Sequence, residues 1–200
     1  LMSLELEEIS LQQRFMEVVA SEDKLQIKEF LNHQNISDVA DLIYDNEEYE
    51  TQIISHLSIH RAVGVFKILE LPVQKRIIKN LPAFTTAELL NELPADDRTA
   101  FLSKLSSNVV RELIKALNPE ERKITLSLLG YPEDSVGRLM TPDYIYVHED
   151  DTVEEVLNYI RKHAKNSETI DVIYVINNKG ELLDDIRIKD FILASPDKKV

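Results

Sequence analysis

Apolar residues recur at loose helical spacing from the start of the chain. Leu4, Ile9, Leu11, Phe15, Val18 and Val19 predict helix within residues 4–32. Ser21-Glu22-Asp23 interrupts that stretch, and Ser21 is placed to cap a second helix covering Glu22 to Leu31. Asn35-Ile36-Ser37-Asp38 offers the next cap, ahead of Val39, Ala40, Leu42 and Ile43. The middle of the chain is then periodic. From Leu81 a leucine returns every twelve residues, at Leu93, Leu105, Leu117 and Leu129, and the first four are followed within two residues by Pro82, Pro94, Ser106 and Pro119. Proline suits the first turn of a helix, where its missing N–H has no intrahelical partner, so each Leu-Pro ends one short helix and starts another. Asp96-Asp97 and Glu120-Glu121 follow two of the prolines, where carboxylates stabilise the positive end of a helix dipole. The expected structure is a superhelical array of stacked short helices, each hairpin too small to bury its apolar face alone.

The pattern changes at Gly130-Tyr131-Pro132. Ile145-Tyr146-Val147 reads as a strand, Thr152 as the cap of a helix through Lys165, and Val172 to Ile176 as a second, buried strand. Asn177-Asn178-Lys179-Gly180 signals a hairpin turn, Leu182 to Ile188 a third strand, and Lys189 to Ala194 a closing helix. This is a small α+β module of order β-α-β-β-α. The expected division is a helical domain over 1–130, a linker over 131–143 and the module over 144–200.

Charge narrows the choice of partners. The formal net charge is −13, which repels nucleic-acid phosphate and anionic lipid and favours cations or basic partners. The absence of cysteine excludes disulfides, thiolate metal ligands and cysteine nucleophiles. The apolar runs are strand-length, so no membrane insertion is expected, and the acidic Leu1 to Ser10 stretch lacks the features of a secretory signal. A cytoplasmic location is expected. Enzyme readings find no constellation to rest on. His56 and His60 have zinc-ligand spacing, but Leu57 stands where a metalloprotease needs its glutamate. The four glycines form no phosphate loop. One basic run, Arg61, Lys67, Lys75, Arg76 and Lys79, is interrupted only by Glu70; it reads as a solvated face, or as a surface for an acidic partner.

The β-α-β-β-α order, preceded by Leu139-Met140-Thr141-Pro142, resembles one CBS module. The stretch from Tyr131-Pro132-Glu133-Asp134-Ser135 through Val136-Gly137-Arg138 to Pro142 resembles the junction of MgtE-type magnesium transporters, and the Leu-Pro array resembles their N-terminal cytosolic domain. That resemblance spans roughly residues 25–200. It implies a dimeric regulator in which an N domain and two CBS modules precede a transmembrane pore, and which closes the pore when Mg²⁺ is plentiful. With one module in the sequence, the second CBS module and the pore are the implied partners, and the chain is expected to be a fragment.

The resemblance also implies a site. Asp96, after Leu93-Pro94-Ala95, matches the N-domain carboxylate facing the CBS side, with Asp97 beside it and Glu92 one turn earlier. Mg²⁺ is the implied ligand, held by few carboxylates and several waters. Asp96 and Asp97 read equally well as helix N-terminal charges, and Glu92 as part of a solvated face. Two other acidic positions of the family fall on Gly64 and Ala100, which offer no side-chain oxygen. CBS pairs often bind adenine nucleotides. Asp190 keeps the ribose-binding carboxylate of that pattern, but Asp184-Asp185-Ile186-Arg187 replaces its usual Gly and Ser/Thr. Two alternatives stand beside the Mg²⁺ sensor: a helical scaffold like those of flagellar switch proteins, and a nucleotide-sensing CBS regulator.

Overall fold

In the computed structural model, which describes residues 10–164, 167 and 170–200, the recurring leucines close the helices of the array. The helices are α1 (Leu11–Ala20), α2 (Lys24–His33), α3 (Ile36–Asp45), α4 (Glu50–His56), α5 (Ile59–Ile68), α6 (Leu71–Asn80), α7 (Ala83–Glu92), α8 (Ala95–Ser103), α9 (Ser107–Ala116) and α10 (Pro119–Leu129), with a 3-10 turn at Glu47–Tyr49. Leu57, Leu69, Leu81, Leu93 and Leu117 each stand one residue past a helix, at φ −59 to −76° and ψ 135 to 151°. All five are at most 8% exposed. The twelve-residue period therefore reaches two repeats upstream of Leu81, where Ser58 and Glu70 replace proline. An extended leucine turns the chain within two residues and drops its side chain into the core. Of the prolines, Pro119 opens its helix as expected. Pro82 and Pro94 stand one position earlier, their carbonyls accepting from the amides of Thr86 and Arg98 at 2.9 and 2.8 Å. There the ring excludes helical backbone from the preceding leucine, which sets the bend.

The chain forms two compact units: one from the N-terminal side to Leu93 together with Phe101–Lys123, the other from Pro94–Ala100 with Ile124–Val200. Within the first, packing runs largely to every second helix: α3 packs on α5, α5 on α7 and α7 on α9, α2 on α4 and α4 on α6, while α1 packs on α2 and α3 on α4 as chain neighbours. A continuous core runs from Phe15 through Leu31, Ile43, Ile54, Phe66, Ile77 and Leu90 to Leu117. At the N-terminal end Ser21 closes α1, and Asp23 caps α2 by accepting from the amides of Leu25 and Gln26. Glu22, at φ 56°, makes the left-handed turn between them, so the cap moves two residues from the expected Ser21. The expected helical positions Leu4 and Ile9 lie outside the described residues.

Polar side chains tie these connections together. Asn32 accepts from the Ser58 amide at 2.8 Å and donates to the His56 carbonyl at 2.9 Å. Asn91 does the same at the α9–α10 connection, accepting from the Asn118 amide at 2.8 Å and donating to the Ala116 carbonyl at 3.3 Å. Gln74 donates to Phe66 O at 2.8 Å, and four repeats later Arg122 donates to Ile114, Lys115 and Leu117 O at 3.1, 2.9 and 2.9 Å. Each satisfies carbonyls that a helix end leaves without intrahelical partners. The buried Glu50 pairs with Arg76, which raises the guanidinium pKa further.

The second unit carries a three-stranded sheet of order β1 (Tyr146–His148), β2 (Val172–Ile176), β3 (Leu182–Arg187). β2 runs parallel to β1 and antiparallel to β3, with Tyr146 opposite Tyr174 and Val172 opposite Arg187. Two helices, α12 (Val153–His163) and α13 (Ile188–Leu193), complete the β-α-β-β-α module, so α13 starts one residue before the expected Lys189. Val147, Val156, Ile160, Ile173, Val175 and Phe191 form its core. Thr152 and Glu155 form a reciprocal capping box on α12, and Gly180, at φ 79°, supplies the positive-φ position of the hairpin. The expected Lys165 end of α12 lies outside the described residues. The Tyr131 junction contains a further short helix, α11 (Val136–Leu139), absent from the linker reading. A Cβ on Gly137 would stand 2.5 Å from the Tyr131 ring, and Arg138 donates to the Leu129 and Tyr131 carbonyls at 3.0 and 2.7 Å.

Leu69→Ala and Leu81→Ala should each cost about 2–5 kcal/mol in urea unfolding, with a smaller loss for the half-buried Leu105→Ala; equal losses would contradict this account of the repeat. Thr152→Ala should destabilise the module by about 1 kcal/mol. The Thr152 amide and hydroxyl lower the Glu155 pKa. Its contribution is therefore present above the ordinary glutamate range and lost as pH falls through the lowered folded value. Glu155→Gln should flatten that acid-side loss in pH-dependent melting.

Candidate metal-responsive site

The head of α8 follows from Leu93-Pro94: the extended leucine, then proline, then Ala95, 2% exposed, at the first helical position. Asp96 and Asp97 fill the rest of the first turn and are half-buried. The aligned peptide dipoles favour negative charge there. Just behind them Arg98 is 0% exposed and donates Nε–H to Thr125 Oγ1 at 2.7 Å, and the Thr99 hydroxyl donates to Ala95 O at 2.7 Å. The two carboxylates thus sit on a helix turn whose next two side chains are buried and hydrogen-bonded. Mg²⁺ takes one or two carboxylates from a protein and keeps its remaining positions hydrated, and Asp96 and Asp97 are the candidates for such a pair.

The other candidates have surroundings of their own. Glu92 ends α7 in the first unit, with Oε1 2.8 Å from His60 Nδ1 on an exposed face. His56 turns elsewhere, Nδ1–H donating to Gln52 O at 2.8 Å, so the two histidines do not converge. Gly64 lies where α5 packs on α3, its added Cβ 3.4 Å from Ile36 Cδ1, so this position serves helix packing. Ala100 is exposed on α8. Among the described residues, no group of three or more His, Asp or Glu side chains is close enough to hold a metal ion.

In the module, Asp190 is exposed in the first turn of the six-residue α13. Asp184 and Asp185 are exposed along β3, where the Asp185 amide donates to Asp184 Oδ1 at 2.8 Å. A phosphate approaching this strand meets two carboxylates. Sequence reasoning missed the apolar surface beside them: Leu182, Leu183, Ile192 and Leu193 are 63, 50, 65 and 81% exposed. The signal was available in the adjacent pairs Leu182-Leu183 and Ile192-Leu193, which place apolar side chains on both faces of one element.

Among the described residues no helix is long and apolar enough to cross a membrane. Residues 34–134 match the family model of the MgtE intracellular N domain, and residues 136–197 that of the CBS domain. The magnesium transporter MgtE of Thermus thermophilus is 44% identical over 84 residues, a match covering 42% of this chain and 19% of that protein. MgtE of Bacillus subtilis is 25% identical over 154 residues, covering 77% of this chain and 34% of that protein. The chain thus spans about a third or less of these relatives' length. The crystal structure of the cytosolic domain of the Mg²⁺ channel MgtE in complex with ATP superposes with a TM-score of 0.87 at 31% identity, covering 94% of this chain and 77% of that one. The soluble part of a magnesium transporter shares the fold, with a TM-score of 0.83 at 19% identity over 94% of this chain and 75% of that one. With the N domain matched over half its length and a CBS domain directly after it, this chain belongs to the MgtE family.

Proposed function

We propose that the chain is the Mg²⁺-sensing regulatory region of a magnesium transporter, acting at the cytoplasmic face of the membrane without catalysis of its own. The observation that carries this reading is the Asp96-Asp97 pair in the first turn of α8, in a chain of net charge −13. Acidic surfaces repel one another until a hard cation bridges them. An ion that binds the closed arrangement better than the open one shifts the balance by its differential affinity alone. Residues 1–130 and 144–200 would be the moving parts, with 131–143 as their linker, and closure would be passed to a pore elsewhere in the parent protein. The exposed Leu182, Leu183, Ile192 and Leu193 support a second CBS module as the partner that covers β3 and α13, within a homodimer.

Nucleotide sensing is the second reading, supported by the ATP complex of the relative at 31% identity. Asp184 and Asp185 oppose it electrostatically, so ATP binding to this chain would be weak.

Small-angle scattering and limited proteolysis, with and without millimolar Mg²⁺, test the sensor on residues 1–200 and on a longer chain carrying a second CBS module. Compaction and protease protection are expected. Asp96→Asn with Asp97→Asn should raise the Mg²⁺ midpoint about tenfold, a loss of about 1.4 kcal/mol, without changing helical content. Superimposable titrations of variant and parent would remove the pair from the site. For ATP, calorimetric titration should show tighter binding after Asp184→Asn with Asp185→Asn; unchanged affinity would show that these carboxylates do not oppose the phosphates.

A further inference from the structure

The first unit holds an open groove of about 420 Å³ that the proposed sensor does not use. Its floor is apolar: Phe101 and Leu105, four residues apart, and Val109 and Leu113, four apart on α9. One bank carries Lys75 and Lys79, four apart and therefore on the same face of α6. α9 is strongly amphipathic yet buries no residue fully, and Val109 is 44% exposed. Its apolar stripe is only half covered by the fold.

Charge sets this groove apart from its surroundings. In a chain with 36 acidic and 23 basic residues, no carboxylate lines it. The nearby basic residues Arg61 and Arg76 are engaged internally, by the Gln34 carbonyl and by Glu50. Lys75 and Lys79 form no ion pair among the described residues, and Glu112, beside Leu113, is bridged to Lys115 at 2.7 Å.

We infer that this groove docks an amphipathic helix of a partner protein whose apolar stripe is bordered by carboxylates. Val109 and Leu113, one turn apart on α9, give the groove an apolar row along which the apolar face of a docked helix can lie. The two lysines face the carboxylates along one edge of that helix and set its direction. A flat anionic membrane fits less well, because the apolar residues form the floor of a groove and the net-acidic chain repels such a surface.

The test is fluorescence anisotropy of the whole chain with a labelled synthetic peptide of about four helical turns, bearing leucines at i, i+4 and i+7 flanked by glutamates. A matched peptide with lysines in place of the glutamates serves as control. The glutamate peptide is expected to bind, more weakly as salt rises, and the lysine peptide not to bind. Lys75→Glu with Lys79→Glu, at two exposed positions, should weaken binding about tenfold while circular dichroism stays unchanged. Val109→Ser should weaken it without altering the salt dependence. Equal binding of the two peptides, or undiminished binding by the double lysine variant, would overturn the proposal. So would sedimentation with phosphatidylserine vesicles through these lysines in the absence of peptide binding.

Discussion

One constraint organises the helical part of this molecule: a helix of about ten residues must end, reverse and begin again within two residues. The solution is an extended leucine whose side chain is buried. Burying that side chain contributes about 1.5–3 kcal/mol at each turn. Its extended backbone also prevents the helix from continuing. Where proline follows, the restriction is steric; at Leu57 and Leu69 serine and glutamate follow, and the same dihedrals persist. The leucine's place in the core is therefore sufficient to set the bend, and proline reinforces it.

The arginines show how the electrostatics are divided. Arg122 and Arg138 donate to helix-end carbonyls, Arg98 is buried against Thr125, and Arg76 is bound to Glu50. Positive charge is thus drawn inward to satisfy backbone and buried oxygen, while carboxylates such as Asp184, Asp185 and Asp190 remain exposed.

Much of this was legible in the sequence, for identifiable reasons. Leucine spacing and the Leu-Pro pairs disclosed the array because the connection has one dominant solution. The module's order was readable from Val172–Ile176, a buried apolar run, and from the glycine-ended turn that follows it. The cap at Asp23 was misassigned to Ser21 because Glu22 adopts a left-handed conformation that nothing local requires. The upstream repeats at Leu57 and Leu69 are not legible from proline, because Ser58 and Glu70 follow those leucines. At the candidate site, the placement of Asp96 and Asp97 on a helical first turn could be read from Pro94. The pairing of Glu92 with His60 could not, since it depends on how α5 and α7 pack.

The clamps made by Asn32 and Asn91 extend the array's coupling beyond adjacent helices. Each asparagine belongs to one helix and holds the amide and carbonyl at a chain reversal more than twenty residues later. Melting α2 therefore frees the end of α4 and the start of α5, and melting α7 frees the end of α9 and the start of α10. The cooperative element is then a span of several helices, longer than the single helix that each repeat contributes, and a perturbation at one connection is felt two repeats away.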